Sequence, residues 1–373
     1  MSNNSWSANR RTFVKTAGAA GVVGLAGCAD DGDAGEASDG ETAGDADDGP
    51  TEVSWVMNPA EEEIDIQVQY APLFEYIESE VNVEIVGQPT ASYSATVQEL
   101  RRAEEGDRVL ADTSPGAVAQ IGDEIDVTGM RVAFGAEQYF SLITTTPDSG
   151  IETLEDLEGE TLASGAPTSV SGTLFPLLML RNAGLDIGGA PGTSPEDFEL
   201  RTSDHTTARE QMIADDSIAA AATGAFSTAA HVPQEQFDEM SQDFVDISAE
   251  YDGAGEREPE LQLLGVSDPI PRAPIVSNGA WDEPLKADIR EAMIDAPDEA
   301  FQYDSEAELA EALNVDPALL DRDEDELSDS ELSDVELVAD HELWFSGIVE
   351  ATHEDYDPVV ELGQALGLDW GDL

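Results

Sequence analysis

Lysine is nearly absent from this chain, whose 15 basic residues include only Lys15 and Lys286, against 82 acidic residues. The formal net charge is -67, and the carboxylates are spread along the whole sequence. Because no basic patch is available to neutralise phosphates, nucleic acid is excluded as a partner. Self-repulsion of this size strains a compact fold in dilute buffer, whereas at about 1 M salt the Debye length falls to ~3 Å. The composition therefore predicts adaptation to near-saturating salt, as in an extremely halophilic archaeon.

Cysteine occurs once, at Cys28, so no disulfide bond can form within the chain. Long hydrophobic runs are also missing near the start, where the apolar stretch at residues 16–27 is far short of the ~20 residues that span a bilayer. This stretch follows the twin-arginine pattern NRRTFVK at residues 9–15 and ends in LAGC at residues 25–28, which matches a lipobox. We expect residues 1–28 to be a twin-arginine signal peptide, with Cys28 as the lipidated first residue after cleavage.

Aromatic and branched aliphatic side chains are absent from residues 29–49. Nothing in that segment can be buried, so residues 29–50 are predicted to be an acidic, flexible tether. We therefore expect the folded part to be held at the extracellular face of the cell membrane by a lipid anchor. Stable anchoring requires more than one acyl chain, because one chain binds weakly.

Short β-like runs alternate with helix-like segments from residue 53 onward. Strands are predicted at 53–57, 81–86, 109–113, 160–163, 198–201, 218–222 and 261–266, and helices at 64–80, 94–105, 173–183, 207–214 and 284–294. Pro72 should kink the first helix or mark a later start. The periodicity continues to residue 370, which argues against an acidic disordered or cation-buffering protein. The alternation predicts an α/β fold with mostly parallel sheets covered on both faces, and the number of strands favours two lobes.

Residues 302–334 are densely acidic and resemble an insertion. An EF-hand is excluded there, because the turn glycine is missing and the carboxylates do not alternate correctly. We interpret the region as a solvated, salt-adapted surface. The four histidines, at positions 205, 231, 341 and 353, show no metal-ligand spacing, so neither a metal nor another cofactor is expected.

Hydroxyl-bearing and small residues fill the segment GAPTSVSGT at residues 165–173, between a predicted strand and a predicted helix. Pro176 restricts the helix start to the neighbourhood of Gly172 and Thr173. Ser169 and Ser171 then lie at the mouth of the helix, beside backbone donors and the positive end of the helix dipole. Such a mouth favours an anion, although an ordinary capped helix start is the alternative interpretation.

His205 lies in a second segment of this kind, TSDHTT at residues 202–207. Thr207 and Glu210 predict a capping box for the helix that follows. The imidazole can donate to an anion, and its charge is adjustable near neutral pH. Tyr93, before a predicted helix, and Tyr139, near a predicted strand end, are further candidates. Each of these signals is weak by itself, because a lone histidine or tyrosine is more often structural.

Several ordered motifs in this chain resemble the phosphate, phosphite and phosphonate-binding family of ABC transporter substrate-binding proteins. The resemblance covers about residues 53–300 and a familiar ending, YDPVV, at residues 356–360. Its most specific stretches are SGI at 149–151, LEDLEG at 154–159, SVSG at 169–172, FP at 175–176, SDH at 203–205 and SDPIP at 267–271.

The resemblance implies that Ser169 and Ser171 hold oxygens of a phosphonate. The family pattern usually reads Ser-Thr-Ser-Gly at this place, so Val170 lacks one hydroxyl, although its backbone N–H can still donate. Val170 therefore remains in the implied binding set.

The resemblance also assigns anion binding to His205, and it matches Tyr93 and Tyr139 to the family's two binding tyrosines. Two departures bear on the ligand. Some members carry an acidic residue after the Ile-Pro motif to hold a ligand amine, whereas this chain has Arg272 there. The strand that leads into Thr223 also lacks the usual Asp. An aminoalkyl phosphonate is disfavoured, and a simple phosphonate, phosphite or phosphate remains.

The fold implied by the resemblance is α/β, a two-lobed periplasmic-binding-protein type 2 fold with mixed, mostly parallel sheets joined by crossover hinge strands. We expect lobe 1 to comprise residues 51–138 plus 268–373, and lobe 2 to comprise residues 139–267. The implied protein is a monomer and not an enzyme. It binds a small oxyanion between its lobes and presents it to ABC permease subunits in the membrane.

Three alternatives remain open at this stage. One is a purely structural surface protein, which the hydroxyl-rich helix starts disfavour. A sulfonate or thiamine-precursor receptor of the same fold would use similar donors. A secreted phosphoester hydrolase could use His205 as a general acid or base, but it would need a metal cluster or an activated nucleophile.

Overall fold

The computed structural model describes residues 49–57, 65–90, 93–133, 135–322, 327–341, 345–368 and 370. The predicted signal peptide, the lipidation site Cys28 and most of the predicted tether lie outside these ranges. None of the helices inside them is long and apolar enough to cross a membrane.

Thirteen strands lie in the described ranges: β1 Thr51–Met57, β2 Val83–Pro89, β3 Val109–Asp112, β4 Ile125–Val132, β5 Gln138–Tyr139, β6 Ser141–Thr145, β7 Thr161–Ser164, β8 Glu199–Thr202, β9 Ala220–Gly224, β10 Gln262–Val266, β11 Ile270–Pro271, β12 Pro274–Asn278 and β13 Gly347–Val349. The α-helices of the same ranges are α1 Ile66–Gln69, α2 Ala71–Glu80, α3 Tyr93–Arg102, α4 Pro115–Ile121, α5 Phe175–Asn182, α6 His205–Ala214, α7 Ala225–Thr228, α8 Gln234–Met240, α9 Gln242–Ile247, α10 Pro284–Ile294, α11 Glu306–Ala312, α12 Asp329–Asp340 and α13 Asp357–Leu366. Each of the longer predicted strands and helices has a counterpart among them.

The strands form two mixed sheets and one short ribbon. The first sheet has the order β13-β4-β12-β3-β1-β2, the second has the order β10-β6-β9-β7-β8, and β11 pairs with β5 in the ribbon. Strand β1 is parallel to β2 and β3, and β7 is parallel to β8 and β9, whereas the other pairs in these sheets are antiparallel. The mixed sheets are confirmed, but parallel pairs do not predominate. The antiparallel pairs include those of β4 and β6, the strands on either side of the first crossing between the sheets.

Both faces of each sheet are covered, as the alternation of strands and helices predicts. In β1, Val53, Trp55 and Met57 face one apolar cluster, and Val56 faces another. Successive side chains of a strand point to opposite faces, so a strand buried on both sides reads as a nearly continuous apolar run. Full burial of a large side chain such as Trp55 contributes about 1.5–3 kcal/mol.

Pro72 divides the first predicted helix in two. Helix α1 ends at Gln69, Tyr70 departs from helical geometry, and α2 begins at Ala71 with the proline in its first turn. The missing N–H of proline costs nothing in a first turn, because that group has no partner within the helix. The prediction of a later helix start at Pro72 is confirmed.

The acidic segment at 302–334 is not only a solvated surface. Its helix α11 contributes Leu309 to a small apolar cluster, which also includes Leu319 and, from the second half of α12, Val338. Tyr303 donates a hydrogen bond to the carbonyl of Val68 at 2.7 Å and so attaches the segment to the first sheet's helices. The acidic composition hid these few apolar positions, which lie in separate elements and meet only in the folded chain.

A buried ion pair joins β4, the strand before the first crossing between the sheets, to β3 of the same sheet. Arg131, near the end of β4, lies 3.4 Å from Asp112 at the end of β3, and both side chains are less than a tenth exposed. Trp55 donates to the other carboxylate oxygen at 3.0 Å. The guanidinium also donates to the carbonyl oxygens of Thr113 at 3.0 Å and Ala273 at 3.3 Å. These bonds satisfy a charge that would otherwise be buried at high cost.

A second arginine lies on the returning segment, directly after β11. Arg272 pairs with Glu250 at 3.2 Å, and both side chains are largely buried. Its backbone carbonyl accepts a hydrogen bond from Tyr356 at 3.0 Å. Arg272 therefore joins the loop that precedes β10 of the second sheet to the segment that returns to the first.

Candidate functional site

The hydroxyl-rich segment forms a turn at the carboxyl end of β7. A single π-helical turn covers Val170–Leu174 and continues directly into α5, so the helix begins three residues earlier than predicted. Ser169 is its N-cap, and its Oγ accepts a hydrogen bond from the N–H of Gly172 at 3.0 Å. The wider turn accommodates Pro176 in the first turn of α5. Ser169 thus lies at the helix mouth, as the sequence predicts.

Two glycines bring the start and the end of this segment into contact. The N–H of Gly165 donates to the carbonyl of Gly172 at 3.0 Å. A Cβ atom on Gly172 would lie 2.8 Å from the Cα of Gly165 and 2.8 Å from Cε1 of His205. Only glycine allows the backbone of the turn and the histidine ring to approach this closely.

His205 is the first residue of α6, which begins two residues before its predicted start. The N-cap is Asp204, whose carboxylate accepts from the N–H of Thr207 at 2.8 Å and from its hydroxyl at 2.6 Å. The predicted cap at Thr207 is therefore wrong, because the acidic side chain two residues after the strand reaches the helix N-terminus first. This cap fixes the backbone that carries the histidine.

The hydrogen bonds of His205 set its tautomer. Nδ1 accepts from the N–H of Gly224 at 2.9 Å, so the proton of the neutral ring is on Nε2. Nε2 lies 3.4 Å from Oγ of Ser169. A serine hydroxyl and a ring N–H from different segments therefore meet at the mouth of the turn, where both can donate to one anion.

Burial lowers the pKa of His205 to about 4, and the nearby carboxylate of Asp204 raises it by less. The folded pKa lies below the unfolded value, so folding favours the neutral ring, and this contribution to stability is lost as the pH falls from about 6.5 toward 4. The expectation that this charge is adjustable near neutral pH is therefore wrong. At neutral pH the ring of His205 is therefore uncharged, with its proton on Nε2.

The side chains of Val170 and Ser171 are buried on the inner side of the turn. Val170 packs in an apolar cluster with Leu174 and with residues of β11 and α13. The carbonyl of Ser171 accepts a hydrogen bond from Ser141. The first N–H groups of a helix have no acceptor within the helix. Val170 can therefore offer its backbone N–H to an anion, although its side chain is apolar.

The carboxyl end of β3 in the first sheet faces the carboxyl end of β7 in the second sheet at this turn. Helix α4 follows β3 of the first sheet, and a Cβ atom on its Gly116 would lie 3.8 Å from Cγ2 of Val170. Helix α13 packs against both α4 and α5, and its Val359 and Leu362 belong to the apolar cluster that contains Val170. An anion at the turn would therefore lie at the boundary between the two sheets.

Tyr139 reaches the same region from the ribbon, where it pairs with Ile270. Its ring centroid lies 6.1 Å from that of Phe226, which in turn contacts the ring of His205 edge-on at 5.0 Å. The guanidinium of Arg272 covers Tyr139 at 5.2 Å.

Tyr93 is the first residue of α3, after β2 of the first sheet, and its side chain lies outside the described part of the structure. Ligand binding by Tyr93 stays a prediction. Phe226 and Gly224 were missed by sequence reasoning, although Gly224 ends β9 and Phe226 follows two residues later, at a strand end like the other candidates. No cluster of three or more His, Cys, Asp or Glu in the described ranges could hold a metal ion.

The model of the family "ABC transporter, phosphonate, periplasmic substrate-binding protein" matches residues 55–356. A binding protein component of an ABC phosphonate transporter from Pseudomonas aeruginosa is 17% identical, with a TM-score of 0.50, and the match covers 85% of this chain and 87% of that one. PhnD1 from Prochlorococcus marinus, in complex with methylphosphonate, is 13% identical, with a TM-score of 0.50 and coverages of 85% and 99%. XAC2383 from Xanthomonas citri, bound to ATP, is 15% identical, with a TM-score of 0.53 and coverages of 85% and 97%.

These structural likenesses show the fold, which is the two-lobed type 2 fold of periplasmic binding proteins. The family match extends over most of the described chain, from β1 to the start of α13. The chain belongs to the phosphonate family of periplasmic substrate-binding proteins that serve ABC transporters.

Proposed function

We propose that this protein captures a small phosphorus oxyanion, a phosphonate, phosphite or phosphate, as a monomer and presents it to an ABC permease. The observation that carries the proposal is the meeting of Ser169 Oγ and His205 Nε2 at 3.4 Å, at the start of a helix. Both groups are neutral donors, and the helix start adds backbone donors and a favourable dipole. Ser171, Val170, Tyr139 and Tyr93 complete the proposed binding set.

Neutral donors suit the charge of this chain. A protein with a net charge of -67 repels an anion at long range, and only salt removes that repulsion. Short hydrogen bonds act within the first hydration shell, where screening has little effect. The donors can therefore replace the water around a phosphonate in concentrated salt.

The two lobes are proposed to be residues 51–138 plus 268–373 and residues 139–267. Their support is the strand order, because β6 to β10 make the second sheet and the remaining long strands make the first. The chain crosses between the sheets twice, at β5 and at β11. Ligand would enter between the lobes, and rotation at the crossings would enclose it.

Substituting Ser169→Ala should weaken methylphosphonate binding about tenfold or more, because a hydrogen bond to a charged group contributes about 1.5–3 kcal/mol. Titration calorimetry in molar KCl measures this change. Ser194→Ala is the control. It removes an exposed hydroxyl in the loop before β8 of the same sheet and should leave the affinity within twofold.

The same titration with phosphite, phosphate and an alkanesulfonate tests the ligand class. Failure of the wild-type protein to bind any of the phosphorus oxyanions would reject the proposal. Tighter binding of the sulfonate than of every phosphorus oxyanion would assign the protein to the sulfonate receptors instead.

We further propose twin-arginine export and a lipid anchor at Cys28, supported by the NRRTFVK pattern and the lipobox. A protein with a single cysteine at that position has an evident use for it. Cys28→Ser should move the protein from the membrane fraction of the native host into the medium, as measured by fractionation and immunoblotting. A variant that stays with the membrane would refute the anchor.

A further inference from the structure

A buried guanidinium lies on the ring of Tyr139. The Cζ atom of Arg272 is 5.2 Å from the centre of that ring, and the arginine side chain is only 5% exposed. A planar cation is attracted to the face of an aromatic ring, and the attraction is stronger where water is excluded. The contact therefore restricts the orientations that the Tyr139 ring can adopt.

Both residues of this contact have a fixed backbone. Tyr139 pairs with Ile270 in the ribbon, and the N–H of Arg272 donates to the carbonyl of Glu137 at 2.8 Å. The carbonyl of Arg272 accepts from the hydroxyl of Tyr356 at 3.0 Å. The arginine and the tyrosine thus start from neighbouring, hydrogen-bonded positions of the two crossing segments.

A carboxylate orients the guanidinium. Oε1 of Glu250 accepts from Nη2 of Arg272 at 3.2 Å, and the glutamate side chain is 10% exposed. Its other oxygen accepts from the hydroxyl of Ser248 at 2.8 Å, and that hydroxyl also accepts from the N–H of Glu250 at 3.3 Å. The carboxylate is therefore held by its own loop, and it can hold the arginine in one orientation.

We infer that Arg272 and Glu250 are positioning residues for the ligand: Glu250 orients the guanidinium, and the guanidinium holds the Tyr139 ring so that its hydroxyl donates to the bound oxyanion. The inference rests on the proposed function, in which Tyr139 binds the ligand. The opposite charges of the pair offset each other, so their effect on an anion is exerted through the tyrosine.

The first test is a cycle of variants, with methylphosphonate binding measured by calorimetry in molar KCl. Arg272→Met combined with Glu250→Gln removes both charges of the pair and leaves the net charge unchanged. It should weaken binding about five- to tenfold, and Tyr139→Phe should do so about tenfold. Adding the two pair substitutions to Tyr139→Phe should weaken binding further by less than twofold, because no hydroxyl remains to be positioned.

The second test separates orientation from charge. Glu250→Ala and Glu250→Gln both leave the arginine without a carboxylate, but glutamine still offers an oxygen to the guanidinium. Glu250→Gln should therefore bind methylphosphonate at least threefold more tightly than Glu250→Ala. The control is Arg201→Met combined with Asp215→Asn, which removes an exposed pair 3.8 Å apart near β8 and should bind as the wild type does.

Thermal unfolding of each variant shows whether it folds. Fully additive losses in the cycle, or equal affinities of the two Glu250 variants, would overturn the inference and leave the proposed function intact. A wild-type protein that binds no phosphorus oxyanion would instead overturn the proposed function, and the inference with it.

Discussion

Gly172→Ala is expected to lower the affinity for methylphosphonate at least about 100-fold. The added Cβ would lie 2.8 Å from the Cα of Gly165 and 2.8 Å from the ring of His205. The first contact is with backbone, which cannot rotate away as a side chain can. The turn and the histidine must therefore separate.

Moving the turn away from His205 removes several hydrogen-bond donors from the site at once. Ser169 Oγ, which would lie 2.9 Å from the new methyl group, is part of the same contact. Loss of two hydrogen bonds to a charged ligand, at about 1.5–3 kcal/mol each, accounts for a 100-fold weakening or more.

Calorimetry in molar KCl gives the affinity, and circular dichroism melting shows that the variant folds. Gly253→Ala is the matched control, because its new methyl group would come no closer than 4.0 Å to the carbonyl of Glu250. It should bind as the wild type does. A Gly172→Ala protein that binds within threefold of wild type would show that the close approach has no role in the site.

Arg131→Met is expected to destabilise the fold by about 3–5 kcal/mol, because it leaves the carboxylate of Asp112 buried without its cation. Methionine retains an apolar stem of similar length, so the loss is chiefly electrostatic. Trp55 still donates to one carboxylate oxygen, which limits the damage but does not neutralise the charge.

Urea denaturation at a fixed molar KCl concentration measures the free energy of unfolding. Lys286→Met is the control, since Lys286 pairs with Asp126 at 2.6 Å on the surface, where such a pair contributes about 0–1 kcal/mol. The double variant Arg131→Met with Asp112→Asn should recover part of the loss. Equal effects of the two single variants would show that burial of the ion pair does not matter.

Strands that are short apolar runs were predictable from the sequence. The predictions at 53–57 and 109–113 lie within two residues of β1 and β3, because each run is buried on both faces. The break at Pro72 was predictable for a local reason, the missing N–H of proline. These features depend only on residues close together in the chain.

Strand β6 shows why other elements escaped prediction. Its five residues, Ser141–Thr145, are all buried although three bear hydroxyls. Thr145 is tolerated because it donates to the carbonyl of Ala219 at 2.6 Å. A sequence does not reveal which distant carbonyl will satisfy a hydroxyl, so a polar run of this kind reads as a loop.

The candidate site also has some features that the sequence predicts and others that it does not. The place of Ser169 at a helix mouth follows from its own segment and from Pro176. The tautomer of His205 does not, since it depends on the N–H of Gly224, 19 residues further along the chain. The direction of the Phe226 ring likewise follows from the tertiary structure alone.

Tyr139 differs from Ser169 and His205 in where it lies relative to the two sheets. It belongs to the two-residue ribbon between the sheets, whereas Ser169 and His205 are attached to the second sheet. In a rotation about a pivot, atoms move in proportion to their distance from the axis. If the proposed lobes rotate about the two crossings, Tyr139 would therefore move little, because it lies at one of the crossings. Its ring would then hold nearly the same position in the open and the closed protein.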